Sequence, residues 1–306
     1  MKKKRLYEDY DYEEEYNKEL KKKSEYEDVI RNYKYSYMRK TIISGDVVES
    51  ELYPIWKCRN DMPRERVGRT REAQKKLNDK NRRKKIVRLV NTNFGEEDLF
   101  LSLTYKDGDI PTEERAMKDI KNYIARLRRK RKKDGIKEPL KYVYEIAYDN
   151  DPESSKAVRI HHHIFINNMD RDVAEKLWGK GRANSKRLQK DDFGLEGISR
   201  YIAEQPRKKK DGEKQTRGKR FGYSTNLKKP IITCDRTTLS NRRVENIAMN
   251  ENDYKEFYED KYKDCEYLEC TVYRSKIYSG IYMYAKLKKK SGDKKSERST
   301  RAEMVI

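Results

Sequence analysis

The sequence predicts an α+β fold, a central antiparallel β-sheet with helices packed on one face and a polar, chemically equipped second face. Three observations predict it. The segments "EEDLFLSLTY", "KYVYEIAY" and "RIHHHIFIN" each alternate side chains with the two-residue period of a half-buried strand. Between the first two lies a segment that places Met117, Ile120, Ile124 and Leu127 at helical spacing, one stripe for one face of the sheet. Each strand has one large apolar face and one mixed face. With the apolar faces under the helices, Ser102, Thr104, Glu145, His161 and His163 collect on the other side.

Composition bounds the partners. The chain has 306 residues, and Lys+Arg 75 against Asp+Glu 53 gives a formal charge of +22. That excess calls for a polyanion, nucleic acid first. A membrane surface is the weaker partner, since no long apolar span or secretory signal is visible. Charged residues make up 42% and hydrophobic residues 34%, so a compact core is expected in only part of the chain. Cys58, Cys234, Cys265 and Cys270 form no CxxC pair and read as free thiols of a reducing cytoplasm.

Taken in order, residues 1–60 mix lysine and acidic blocks with scattered tyrosines. They read as a charged, flexible extension, with "ELYPIWKC" as a short apolar island. Residues 61–235 read as the core, led by a very basic helix-prone stretch from Arg64 to Asn91. After strand "LFLSLTY" and the turn "KDGD", Thr112 followed by Glu113 and Glu114 marks a helix start. That helix ends in "RLRRKRKK". Such a run is commonly a solvated helix end, but at this net charge Arg126, Arg128, Arg129, Lys130 and Arg131 are expected to meet phosphates. Beyond the histidine strand, Asp170 caps a short helix through Val173, Leu177 and Trp178. "ISRYIAEQ" is another helix, and a basic loop with Arg207, Lys208, Lys209 and Lys210 follows as a second expected DNA contact. Residues 236–306 read as a small α/β extension, with a helix around 251–262, the strand-like runs "YLECTVY" and "IYSGIYMYAKLK", and a disordered basic tail.

All three histidines of the chain stand together at 161–163. Residues i and i+2 on a strand point the same way, so His161 and His163 are natural joint ligands of one ion, whereas His162 turns into the apolar layer. Imidazole pairs suit several divalent metals, and an added carboxylate favours Mn2+ or Mg2+. Glu145, on the preceding strand and the same face, is the favoured third ligand, and Glu204, on the helix-prone segment "ISRYIAEQ", is the alternative.

These residues carry a resemblance. "RIHHHIFIN" resembles the His-hydrophobic-His motif of the HUH endonucleases, in the branch of rolling-circle replication initiators. "LFLSLTY" is similar to the strand motif that precedes it there, and "GISRYIAEQP" resembles the helix that carries the nucleophilic tyrosine. The likeness covers roughly residues 94–235 in the order strand motif, histidines, tyrosine. Sister relaxases place the tyrosine before the histidines. The chain departs from the pattern at His162, where a bulky apolar residue is usual, and at Glu204, where a lysine commonly stands.

The resemblance implies an HUH/RRM-like sheet with the metal and tyrosine on the face away from the helices. It implies Tyr201 as a single nucleophile, Glu204 as a candidate helper, and a nicking-joining reaction on single-stranded or hairpin origin DNA. A tyrosine hydroxyl with an ordinary pKa of about 10 is a poor nucleophile at neutral pH, and a divalent cation assists by polarising the phosphoryl oxygen. No phosphate loop is present: "GEKQTRGKR" has the wrong spacing, so a separate helicase and a host polymerase are expected partners. The expected location is the cytoplasm of a bacterial cell or virus-infected host. The competing readings are an HUH transposase, a mobilisation relaxase, or a non-catalytic DNA-binding regulator. The sequence leaves the oligomeric state open.

Overall fold

The computed structural model describes residues 35–56, 71–149, 159–203, 221–274 and 280–290. Within them the fold is α+β, with two antiparallel five-stranded sheets and six helices. In chain order the elements begin β1 (Tyr35–Ser44), β2 (Val47–Trp56), α1 (Arg71–Asn93), β3 (Leu99–Leu103), α2 (Glu113–Lys133), β4 (Tyr142–Asp149) and β5 (Arg159–Ile166). They continue α3 (Arg171–Lys176), β6 (Ala183–Arg187), α4 (Glu196–Ala203), β7 (Phe221–Tyr223), β8 (Ile231–Arg236), α5 (Asn241–Ile247), α6 (Glu251–Lys261), β9 (Cys265–Arg274) and β10 (Ile281–Lys289). The chain divides into two units: Asn78–Pro230, and Met1–Leu77 together with Ile231–Ile306. Among the described residues no helix is long and apolar enough to cross a membrane.

In the unit Asn78–Pro230 the strand order is β6-β3-β5-β4-β7, with the histidine strand at the centre. One face buries Leu99, Leu101, Leu103, Ile146, Ile160, Ile164 and Ile166 against Ala116, Ile120, Tyr123, Ile124 and Leu127 of α2. The predicted caps form: Thr112 Oγ1 accepts from Arg115 N at 3.2 Å, and Asp170 Oδ1 accepts from Val173 N at 2.9 Å. The second face is not bare. Phe100, Val143 and Phe165 pack with Ile86 and Val90 of α1 and with Phe94, Leu188 and Leu195. Three apolar side chains pointing away from α2 needed a second layer, and α1 supplies it from a stripe at helical spacing.

The other unit overturns the reading of residues 1–60 as a flexible extension where it is described. Residues 35–56 form the hairpin β1–β2 at the centre of a sheet ordered β8-β1-β2-β10-β9. The segment after 236 is therefore no separate extension, because β9 and β10 complete the sheet that β1 and β2 begin. Tyr37, Val48, Leu52, Met283, Ala285 and Leu287 bury one face with Val244 and Ile247 of α5 and Tyr258 of α6. The Tyr262 hydroxyl bridges Thr41 Oγ1 at 2.7 Å and Ser50 Oγ at 3.0 Å, which satisfies polar groups inside that layer. Among the described residues Cys234, Cys265 and Cys270 form no disulfide.

The basic end of α2 requires a correction. Arg131 is only 3% exposed. Its guanidinium donates to the carbonyls of Asn167 at 2.9 Å, Asn168 at 2.7 Å and Glu138 at 2.7 Å, so it ties the helix end to two loops rather than reaching outward. Arg126 donates to the Trp178 carbonyl at 2.9 Å, and Lys130 pairs with Asp134. Arg128 and Arg129 are exposed, with Arg128 5.6 Å from the Tyr142 ring centroid. The cause is helical geometry: the apolar stripe of α2 continues through position 131, and that side chain had to find partners inside.

Arg131→Met is expected to leave three carbonyls without a donor and to cost about 2–4 kcal/mol in urea unfolding. Arg129→Ala is expected to stay within about 0.5 kcal/mol of the parent protein. Equal stability of the two variants would contradict the clamp.

Candidate active site

The site is built on β5. Two residues apart on one strand, His161 and His163 share the face that carries Phe165, and their Nε2 atoms converge to 3.1 Å. At this separation either one ring donates an Nε2–H to the other, or both lone pairs address one cation. Two ligands about 2.1 Å from an ion and about 90–110° apart lie about 3.0–3.4 Å from each other. The pair therefore fits a divalent ion.

Neighbouring strands orient the ligands. Ser102 of β3 lies directly opposite His163, and its Oγ sits 3.1 Å from His163 Nδ1. When Ser102 accepts from Nδ1–H, the Nε2 lone pair is left to face His161. Phe100 stacks on the His163 ring at 5.4 Å. Burial and the neighbouring His161 push the His163 pKa down to about 3, so the ring is neutral at physiological pH, the form a metal requires.

On the other side of β5, Glu145 of β4 lies opposite His163 in the register. It therefore shares the histidine face, as its position in the strand predicts. Its carboxylate is 1% exposed, and Oε1 accepts from Arg82 Nη1 of α1 at 2.6 Å. Among the described residues no three His, Cys, Asp or Glu side chains gather as a metal cluster. Ligation by Glu145 would therefore require the carboxylate either to be shared between Arg82, on Oε1, and the ion or to exchange one for the other. Arg82 carried no expected role. Its signal was present, since it stands four residues before Ile86 on the stripe that packs α1 onto the sheet.

Helix α4 brings Tyr201 to the same place. The Tyr201 ring centroid lies 5.6 Å from that of His163, and the side chain is 57% exposed, while His161 and His163 are 7% and 2% exposed. The buried Ser199 hydroxyl, which donates to the Leu195 carbonyl at 2.6 Å, ties down the opposite side of the same turn. Glu204, Arg207, Lys208, Lys209 and Lys210 lie outside the described residues. Arg126, Arg128 and Arg129 belong to α2, which packs on the sheet face opposite the histidine pair, so they do not join this site.

The middle histidine goes the other way. His162 is 0% exposed, 5.3 Å from the Trp178 ring, with Nε2 2.9 Å from the Tyr105 hydroxyl. That hydroxyl donates to Asp119 Oδ2 at 3.3 Å, so its oxygen accepts from a neutral, Nε2-protonated His162. The Nε2 side of this polar residue in the apolar slot is thus held by a hydrogen-bonded chain that Lys180 closes at 3.0 Å from Asp119, while Nδ1 is buried without a hydrogen-bond partner among the described residues.

A family model for replication-associated proteins of the ORF2 kind matches residues 98–210. That span runs from β3 through the histidine pair to the helix of Tyr201. The likeness is to proteins of DNA replication, and it points to replication initiation. No curated protein and no solved structure shows a significant match.

Burial pushes the His162 and His163 pKa values down from 6.5 to about 3. The unfolded chain then binds protons below pH 6.5 that the folded one does not. Stability is expected to be full above that pH and to fall by about 1.4 kcal/mol per pH unit for each histidine on acidification. In urea titrations followed by tryptophan emission, His162→Leu should flatten this slope by one proton's worth. An unchanged slope would mean that His162 is not buried neutral.

Proposed function

We propose that this chain is a metal-dependent, site-specific single-stranded DNA endonuclease and strand transferase of the HUH type, which opens rolling-circle replication of a plasmid, phage or integrative element. The observation that carries the reading is the meeting of three side chains: two Nε2 atoms 3.1 Å apart, with the Tyr201 ring 5.6 Å from one of their rings. The match of residues 98–210 to a replication-associated family supports it from a separate direction.

His161 and His163 would hold the cation, Mn2+ or Mg2+, with Glu145 as third ligand, either shared with Arg82 or released by it. Bound there, such an ion supplies charge to offset and align a phosphodiester. The Tyr201 hydroxyl attacks the phosphorus. The bond to the 3′-oxygen breaks, a 5′-phosphotyrosine forms, and the proton lost by the phenol is balanced by the one gained at the released 3′-OH. Rejoining runs the same exchange backwards and needs no nucleotide, because the ester bond is conserved. Ser102 and Phe100 fix the His163 ring, and exposure of Tyr201 admits the strand. The strand is expected to be separated by another protein's helicase and extended by a host polymerase.

Tyr201→Phe is expected to bind single-stranded DNA like the parent and to form no denaturation-resistant adduct; an adduct in this variant would assign the chemistry to another residue. Glu145→Gln is expected to weaken Mn2+ binding at least tenfold by calorimetry. His161→Ala should abolish that binding. Parent-like Mn2+ affinity in Glu145→Gln would remove Glu145 from the ligand set.

A further inference from the structure

The proposed reaction leaves part of the site face unused. Within Asn78–Pro230, among the described residues, the large aromatic side chains left exposed are Tyr201 at 57% and Tyr223 at 40%. They belong to the same face. Strand β7 pairs with β4 so that Phe221 lies opposite Glu145, Gly222 opposite Tyr144, and Tyr223 opposite Val143. Residues directly opposite share a face, so Phe221 and Tyr223 stand with Glu145 and His163. Gly222 faces the other way, where a Cβ would come within 2.5 Å of the Tyr144 ring, so the close approach of β7 depends on glycine here.

A cation accompanies the ring. Lys85 of α1 donates from Nζ to the Tyr223 hydroxyl at 3.0 Å and lies 4.9 Å from the ring centroid. Lys85 is exposed, three residues beyond the Arg82 that meets Glu145. Two strand spacings across the sheet and two residues along β7 put Tyr223 roughly 12 Å from His163, on the side away from His161. An exposed aromatic face accepts any unpaired base, and an ammonium beside it accepts the adjoining phosphate.

We propose that Tyr223 and Lys85 form a subsite for one unpaired nucleotide of the DNA strand that Tyr201 attacks, with its base stacked on the Tyr223 ring and its phosphate on the Lys85 ammonium. This rests on the reading of single-stranded DNA as the substrate. The subsite binds by stacking and charge and is indifferent to base identity. It holds the strand across the sheet while other contacts select the sequence.

The test compares two probes on the full chain in chelator, where no cutting occurs: a 20-residue oligothymidylate and an abasic backbone of the same length and charge. The parent is expected to prefer the thymidylate. Tyr223→Ala should lose about tenfold of that preference, and Tyr223→Phe should keep it, because the ring is retained. Lys85→Ala should lower the slope of log affinity against log salt by about 0.7, one phosphate on a single strand. An undiminished preference in Tyr223→Ala, with its thermal unfolding unchanged, overturns the subsite. Nicking is scored separately by the Tyr201 adduct on origin-derived DNA. A Tyr223-dependent preference without an adduct upholds the subsite and removes the nicking reading; an adduct with an unaltered preference does the reverse. Absence of any binding to the thymidylate overturns both.

Discussion

Strand β5 lies between β3 and β4 and is covered on both faces, so its side chains alternate between two buried layers. That alternation is the constraint on which the site depends. Ile160, His162, Ile164 and Ile166 fill the layer under α2, while His161, His163 and Phe165 fill the layer under α1. A shift of one residue in pairing would exchange the layers, burying two histidines among isoleucines and carrying His162 to the site face. The apolar residues on both sides therefore hold the register, and the register brings two imidazole nitrogens to one point.

Buried charge in this unit is placed by the same packing. Arg82 and Arg131 each end the apolar stripe of a helix, and each had to find oxygen acceptors inside. Arg131 found three carbonyls and became a clamp between α2 and the loops around Glu138 and Asn167. Arg82 found the carboxylate of Glu145, opposite His163. Burial depresses the Arg82 pKa and the Glu145 charge offsets part of that, so each member of the pair makes the other tolerable away from water. A cation that took Glu145 as a ligand in the proposed reaction would draw on the same carboxylate, and so would be felt at the Arg82 contact that α1 makes with the sheet.

Of the four elements that surround the histidines, β3, β4 and α4 were legible from their periods. The fourth, α1, was visible as a helix but not as a layer, because its stripe of Ile86 and Val90 is short within a run of basic residues. Strand β7 has three residues and no usable period, so the position of Tyr223 could not be read from sequence. The strands β1 and β2 were missed for a different reason. Their alternation mixes Tyr, Lys, Glu and Ser, and the residues that bury them come from 231–289, far along the chain.

By itself the sequence determined what local chemistry can determine: the alternation that sends His161 and His163 one way and His162 the other, the caps of α2 and α3, and the positive charge that calls for a polyanion. Tertiary structure alone decided which charged side chains stay available. Arg131 and Arg129 are two residues apart in one basic run, yet one is buried among carbonyls and the other is exposed. It also decided that Glu145 meets Arg82, that Tyr201 comes to His163, and that residues 35–56 join a sheet with residues after 230. The physical reason is range. Strand and helix periods act over a few neighbours, whereas the burial of a charge or the pairing of a strand depends on side chains that only the folded chain brings together.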